Sequence, residues 1–327
     1  MAEQVGVTTG LRPARPTVNM DGQDNAALEQ GLLSLLIVET IGGLYRCEAT
    51  FGNWGLRNST IDFLYFDRQT LDFGKAFKIK LGTDVLFDGR ITALEAHFGE
   101  ARAPEMVVLA EDRFQDLRMT RRTRNFSDVS DSDVFTQIAG DHGLSANVNV
   151  SGPTYRVLAQ INQSDLAFIR ERARAIDSEL WMDGSILNAK SHANRSGNPI
   201  ELKRGRHLRE FNVLADLSHQ RTSIAVNGWD ISGKSGLQYE ATSSVISNEL
   251  NGDTSGVSIL ESALGARKES LAHTVPLNSQ EAQTLAEAYF RMTARRFVVG
   301  HGVANTLPGL RVGAQVQADL ALGDCPG

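Results

Sequence analysis

Between Leu32 and Ala110 apolar residues come in short runs broken by turn-forming residues. Phe77, Ile79 and Leu81 alternate with Lys78 and Lys80, the period-two pattern of a half-buried antiparallel strand. Leu32–Thr40, Tyr45–Asn53, Ile61–Phe66, Phe77–Gly82, Val85–Phe87, Arg90–Phe98 and Met106–Ala110 read as strands because they are short and separated by turn residues. Asp88-Gly89 predicts a two-residue hairpin turn, because a type I′ turn needs positive φ at both positions. Strands this short and this closely spaced predict a small barrel or sandwich.

The period then lengthens. In Gln160–Trp181, Leu166, Ile169, Ala173, Ile176 and Leu180 fall at steps of three and four, which places them on one helix face. Ser164 stands where its hydroxyl can cap the helix, and Asp165 puts negative charge at the positive helix end. Arg170, Glu171, Arg172 and Arg174 take the other faces. Ser127–Leu144 predicts a helix capped by Asp131 or Ser132, with Val134, Phe135, Ile138 and Ala139 inward and Gly143 at its end. Leu180–Lys190 predicts two strands turning at Asp183-Gly184. Ile224 and Val226 alternate ahead of an expected Gly-Trp-Asp turn at 228–230. Ser255–Ser270 predicts a short helix. Asn278–Phe297 predicts a longer one, with Asn278 and Glu281 as a capping box and Ala282, Leu285, Tyr289 and Met292 along a face. The chain closes on strand-like Val298–Val303, with Gly300–Gly302 read as a turn, and on alternating Val312, Ala314, Val316 and Ala318.

The resulting class is α+β: two antiparallel β regions around an α/β module. Its divisions are a flexible arm at 1–27 that orders against a partner, a first β region at 28–118, the α/β module at 119–199, and a second β region at 200–327 with helical insertions.

Composition removes several functional classes. With 41% hydrophobic and 22% charged residues, the 327-residue chain is an ordinary globular polypeptide. A net charge of -6 gives no general attraction to nucleic acid or anionic membrane. Cys47 and Cys325 are the two cysteines, too few for a disulfide framework or a thiolate zinc site. The first twenty residues lack an apolar core of the signal-peptide kind, and no apolar run reaches membrane-spanning length. Folding in a reducing cytoplasm without a signal peptide is therefore expected, with any exit by lysis or inside a particle.

Candidate chemistry is sparse. The seven histidines never fall into a metal-ligating motif, and neither a nucleophile elbow nor a phosphate-binding glycine loop occurs. Asp128, Asp131 and Asp133 lack the glycine and glutamate of a calcium loop. His142 reads as a surface residue or a cation in the last helical turn. No catalytic, cofactor or metal residue is expected. Partner-contact candidates are Arg118, Arg121, Arg122 and Arg124, which form either an electropositive patch or an ion-paired surface, together with Trp229.

Several fragments, in order, resemble one family. Phe63–Ile79, Leu86–Phe98, Leu109–Phe126, Gln160–Trp181, Val226–Lys234 and Ala294–Gly302 are similar to hub proteins of contractile injection machines. That family comprises the phage late-control protein D group and the N-terminal hub of VgrG, and the wording is closest to phage-tail-like extracellular injection systems. The resemblance implies a homotrimeric ring in which two antiparallel barrels per subunit, at 28–118 and 200–327 with the second truncated at its end, match a sixfold tail tube to a threefold spike. The partners it implies are further copies of the chain, a spike protein, a tail tube protein and other baseplate subunits. It implies neither nucleic-acid binding nor membrane insertion, and no enzymatic activity. The competing expectations are a tail-associated peptidoglycan hydrolase and a nucleic-acid adaptor using the arginine cluster.

Overall fold

The computed structural model describes residues 15–195, 199–230, 233–250, 252, 254–272 and 276–320, and the chain divides into two units. The first takes residues 1–40 and 44–115; the second takes 41–43 and 116–327.

Among the described residues, nine strands build the first unit: β1 (Thr17–Met20), β2 (Gln23–Asp24), β3 (Leu32–Val38), β4 (Arg46–Gly52), β5 (Trp54–Arg57), β6 (Thr60–Phe63), β7 (Ala76–Leu81), β8 (Asp84–His97) and β9 (Glu105–Glu111). Helix α1 (Ala26–Gly31) starts where Asn25 accepts a hydrogen bond from the Leu28 amide at 3.0 Å. Seven strands form one antiparallel sheet in the order β2-β1-β7-β8-β9-β4-β3. Alternation works as expected on β4 and β7, where Cys47, Ala49, Phe51, Phe77 and Ile79 are buried.

Two expectations are corrected here. The arm does not run to residue 27: residues 1–14 lie outside the described residues, but Thr17–Met20 pairs in register with Phe77–Lys80 and buries Val18. The sheet is also open, not a closed barrel. Closure would join β3 to β2, and β2 is two exposed residues whose Asp24 already holds Lys80 at 3.0 Å and the Asn19 amide at 2.6 Å. It offers no ladder to a seven-residue strand.

The second unit opens with α2 (Phe114–Arg118), which begins in the first, and β10 (Arg121–Ser130), neither of them anticipated. It continues with α3 (Asp131–Asp141), β11 (Ser145–Asn149), β12 (Thr154–Ser164), α4 (Asp165–Ala175), β13 (Ser178–Asp183) and β14 (Ile186–Ser191). β10 and β12 form a long antiparallel pair, and β11-β14-β13 forms a mixed sheet. The turn at Asp183-Gly184 stands, with Gly184 at φ +56°. α3 starts one residue before expectation: Ser130 caps it reciprocally with Asp133. α4 is eleven residues long, so Gln160–Ser164 belong to β12 and Leu180 to β13. The five apolar residues assigned to one helix face are all buried, but from a helix, its cap and a neighbouring strand.

The remainder comprises β15 (Ile200–Lys203), β16 (Leu208–Ala215), β17 (Ser223–Asp230), β18 (Ser235–Thr242), α5 (Gly256–Leu264), β19 (Lys268–Leu271), α6 (Ser279–Ala294), β20 (Val298–Ala304) and β21 (Val316–Asp319). These make three small sheets among the described residues, β15-β21, β16-β20 and β18-β17-β19, in place of the expected second barrel. α6 closes the last sheet over Ile224, Val226 and Leu271. Its cap is as predicted: Asn278 accepts from the Glu281 amide at 2.9 Å, and its own amide donates to Glu281 at 2.8 Å. Its deepest residues are Ala282, Ala286 and Phe290, at steps of four, while Leu285 and Tyr289 pack at the margin. Residues 321–327 lie outside the described residues, so the expected truncation falls there.

Three glycine sites read as turns lie inside strands. Asp88-Gly89 sits within β8, and the real β7–β8 turn is at Gly82, φ +62°. A Cβ on Gly89 would collide with the Glu111 carbonyl and sit 2.6 Å from the Phe87 ring. Gly228 lies on β17, where a Cβ would meet Pro276, 2.7 Å from its Cγ. Gly300 and Gly302 lie on β20, and the Phe211 ring fills the space over both, 2.9 Å from either Cβ position. In each case glycine permits close approach from a neighbour.

Candidate functional site

Asp165, the first residue of α4, is 1% exposed and gathers the charges of β10 and α3. Ser164 places it by accepting from the Ala167 amide at 3.2 Å. Its Oδ1 accepts from Arg124 Nη2 at 2.9 Å and from Gln160 Nε2 at 2.8 Å. Its Oδ2 faces His142 Nε2 at 2.8 Å and Arg122 Nε at 3.1 Å. Burial alone would raise this carboxyl, but the hydrogen bonds from His142 and Gln160 and the charges of Arg124 and Arg122 hold it below the ordinary carboxylate value. His142 is thus bound to a buried acid, which corrects its reading as a surface residue.

A second node lies on the same helix. Arg172 Nε donates to Asp131 Oδ1 at 2.7 Å and its Nη2 to Oδ2 at 3.1 Å, while its guanidinium stacks 4.5 Å over Tyr155. Around β13, Glu179 takes His192 at 2.6 Å and Arg195 at 2.6 Å, and Arg195 lies 4.2 Å over Trp181. Burial opposes the Glu179 charge, yet those two partners keep its carboxyl below the ordinary range. Among the described residues, no group of histidine, cysteine, aspartate and glutamate is placed to hold a metal ion.

The anticipated contact residues divide. Arg122 and Arg124 turn into the Asp165 cluster, and Arg124 also reaches Asp141 at 2.6 Å and the Phe126 ring at 4.8 Å. Arg121 is exposed, with Nη1 3.3 Å from the Asn162 carbonyl. Arg118 is exposed at the end of α2. Trp229, at the far end of β17, is 52% exposed.

The extent of open apolar strand surface was not legible from the pattern along the chain. In the β5–β6 hairpin, Trp54 pairs with Phe63 and Leu56 with Ile61, which puts all four on one face. Leu56 is 76% exposed and Ile61 67%. Trp54 and Phe63 meet edge to face at 5.1 Å, and Phe66 stacks on Phe63 at 4.6 Å. Edge strand β3 exposes Leu33 and Leu36, and the β16–β20 ribbon exposes Val213, Leu214, Val299 and Val303.

Solved structures share this arrangement. The 43 kDa tail protein of a Shewanella oneidensis prophage superposes with a TM-score of 0.64 at 11% identity, over 88% of this chain and 81% of that one. A Neisseria meningitidis tail protein gives 0.63 at 10% identity, over 93% and 86%. The Listeria monocytogenes prophage tail protein gp18 gives 0.54 at 12% identity, over 88% and 80%. The fold is that of phage tail proteins, as the ordered fragments implied. A comparison with curated protein sequences finds no match. The family model described as the Alg8 N-terminal domain matches residues 56–305, and the chain belongs to that family.

Proposed function

We propose that the chain is a structural hub of a contractile, phage-tail-like injection particle. Three copies form a ring that joins a sixfold tail tube to a threefold spike and carries thrust between them when the machine contracts. The carrying observation is the open apolar strand surface: Leu33, Leu36, Leu56, Ile61, Val213 and Val303 project from strands that, among the described residues, have an unpaired edge or an uncovered face. Such surface is costly in an isolated chain and marks contact with other subunits. The buried acids support a role without turnover, since Asp165, Asp131 and Glu179 spend their hydrogen-bonding capacity on cations of their own unit. Shared fold with phage tail proteins supports the particle; the further partners proposed are spike, tube and other baseplate subunits.

Light scattering behind a sizing column tests the reading. A mass of about three times 35.6 kDa is expected, alone or on mixing with spike protein. A chain that stays monomeric and binds neither spike nor tube protein overturns it, and clearing of cell wall by the purified chain would replace it with a hydrolase.

A further inference from the structure

The second unit contains a cleft of about 520 Å³ beside the ends of α4 and α6. Ala173, Leu180 and Met292 contribute apolar wall, and Arg170, Arg174, Arg295 and Arg296 contribute four guanidinium groups. Two acids, Asp177 and Glu179, also line it. Both are engaged: Asp177 by Arg295 at 2.5 and 2.7 Å, Glu179 by His192 and Arg195. Arg170 donates to the carbonyls of Gly42 and Gly43. Arg174 and Arg296 have no side-chain partner among the described residues, and both are exposed.

The cleft therefore keeps two uncommitted positive charges beside apolar wall. The helix ends contribute a negative partial charge of about half an elementary charge each, less than the two free guanidinium groups carry.

We infer that this cleft is a docking site for an extended peptide segment of a partner protein in which carboxylates alternate with apolar side chains. Arg174 and Arg296 pair with the carboxylates, and Ile41, 63% exposed, and Met292 receive the apolar groups. Arginine suits the task, since its planar fork matches a carboxylate at two points. The inference goes beyond the hub reading and does not depend on the oligomeric state, because every lining residue belongs to one unit of one chain.

The test uses the full chain and a fluorescein-labelled hexapeptide of alternating leucine and glutamate, read by fluorescence anisotropy. Saturable binding is expected, weakened at least about tenfold in the Arg174→Gln, Arg296→Gln double variant. The same peptide with glutamine for glutamate should lose binding to a similar degree. Arg156→Gln, which removes an exposed arginine outside the cleft lining, should leave the affinity unchanged. Neither cleft substitution breaks an ion pair, so the circular dichroism melting curve should stay that of the parent chain. Absence of saturable binding, equal affinity for the glutamine peptide, an unaltered double variant or an equal loss in Arg156→Gln each overturns the assignment.

Discussion

Arg295 and Asp177 form a two-point ion pair, Nη1 to Oδ1 at 2.5 Å and Nη2 to Oδ2 at 2.7 Å, between residues 118 positions apart in sequence. The pair ties the end of α6 to the turn after α4. Arg295 also holds Glu249 at 2.8 Å. Burial works against the guanidinium, but its two carboxylates raise its pKa above the ordinary value. A pair of this kind costs more to break than it contributes when intact, because the surviving charge is left without a partner.

Arg295→Ala is therefore expected to destabilise the second unit by about 2 kcal/mol, below the range for fully buried pairs because both side chains keep some solvent contact. Urea unfolding followed by circular dichroism measures it. In a double-mutant cycle with Asp177→Asn, the two losses should be clearly less than additive; additive losses would mean that the pair is not coupled.

Asp165→Asn removes the acid that meets Arg122, Arg124 and His142, and should cost about 3 kcal/mol at pH 7. The folded chain holds this carboxyl below 3.8, so as pH falls the unfolded chain takes up the proton first. The stabilisation is complete well above 3.8 and is lost as pH falls through that value to the lower folded one. The gap in urea midpoint between parent and variant should accordingly narrow from pH 7 to pH 3. A gap that is constant with pH would show that the charge is not what Asp165 supplies.

Gly89→Ala should destabilise the first unit by about 1–3 kcal/mol through overpacking, because the new methyl group meets the Glu111 carbonyl and the Phe87 ring. Thermal melting reads the loss. A neutral outcome would show that β8 and β9 can separate locally without cost.

Burial, aided by neighbouring Glu48, pushes the Cys47 thiol up to about 12. At pH 8 the folded chain should leave Cys47 unalkylated by iodoacetamide over minutes, as read by peptide mass mapping, with labelling appearing in urea. Rapid labelling without denaturant would mean that β4 opens readily.

Leu56→Ser with Ile61→Ser should leave the melting temperature of the isolated chain within a few degrees, since both side chains are mostly exposed. If the hairpin face meets another subunit, the same variant should shift the light-scattering mass toward monomer. An unaltered mass would remove this face from the subunit contacts.

Local chemistry was legible along the chain. Ser164 before α4, Asn278 with Glu281 before α6, and the turn at Asp183-Gly184 were readable because a cap or a tight turn satisfies its own backbone within a few residues. Period-two alternation located β4 and β7 for a similar reason, since a strand lying on a core carries that core in its own pattern, and the short unbroken apolar run Met106–Ala110 located β9. The extent of α4 was not legible, because burial continues from its helical face into β13 and apolar spacing alone cannot mark the change.

What the sequence determined by itself was the α+β class and those elements and caps whose signal lies within about one helical turn, such as Ser164 before α4 and Asn278 before α6. What tertiary structure alone decided was which residues from distant segments share a space. Gly89, Gly228, Gly300 and Gly302 looked like turns because glycine allows positive φ, yet each admits a group brought close by packing, and sequence does not say which property of glycine is used. Likewise the arginine cluster around β10 was open between an electropositive patch and a solvated linker or ion-paired surface, and the sequence does not say which arginine does which. Backbone alternation and the approach of α4 turn Arg122 and Arg124 inward to Asp165 while Arg121 stays outside, a sorting made by a carboxylate some forty residues away.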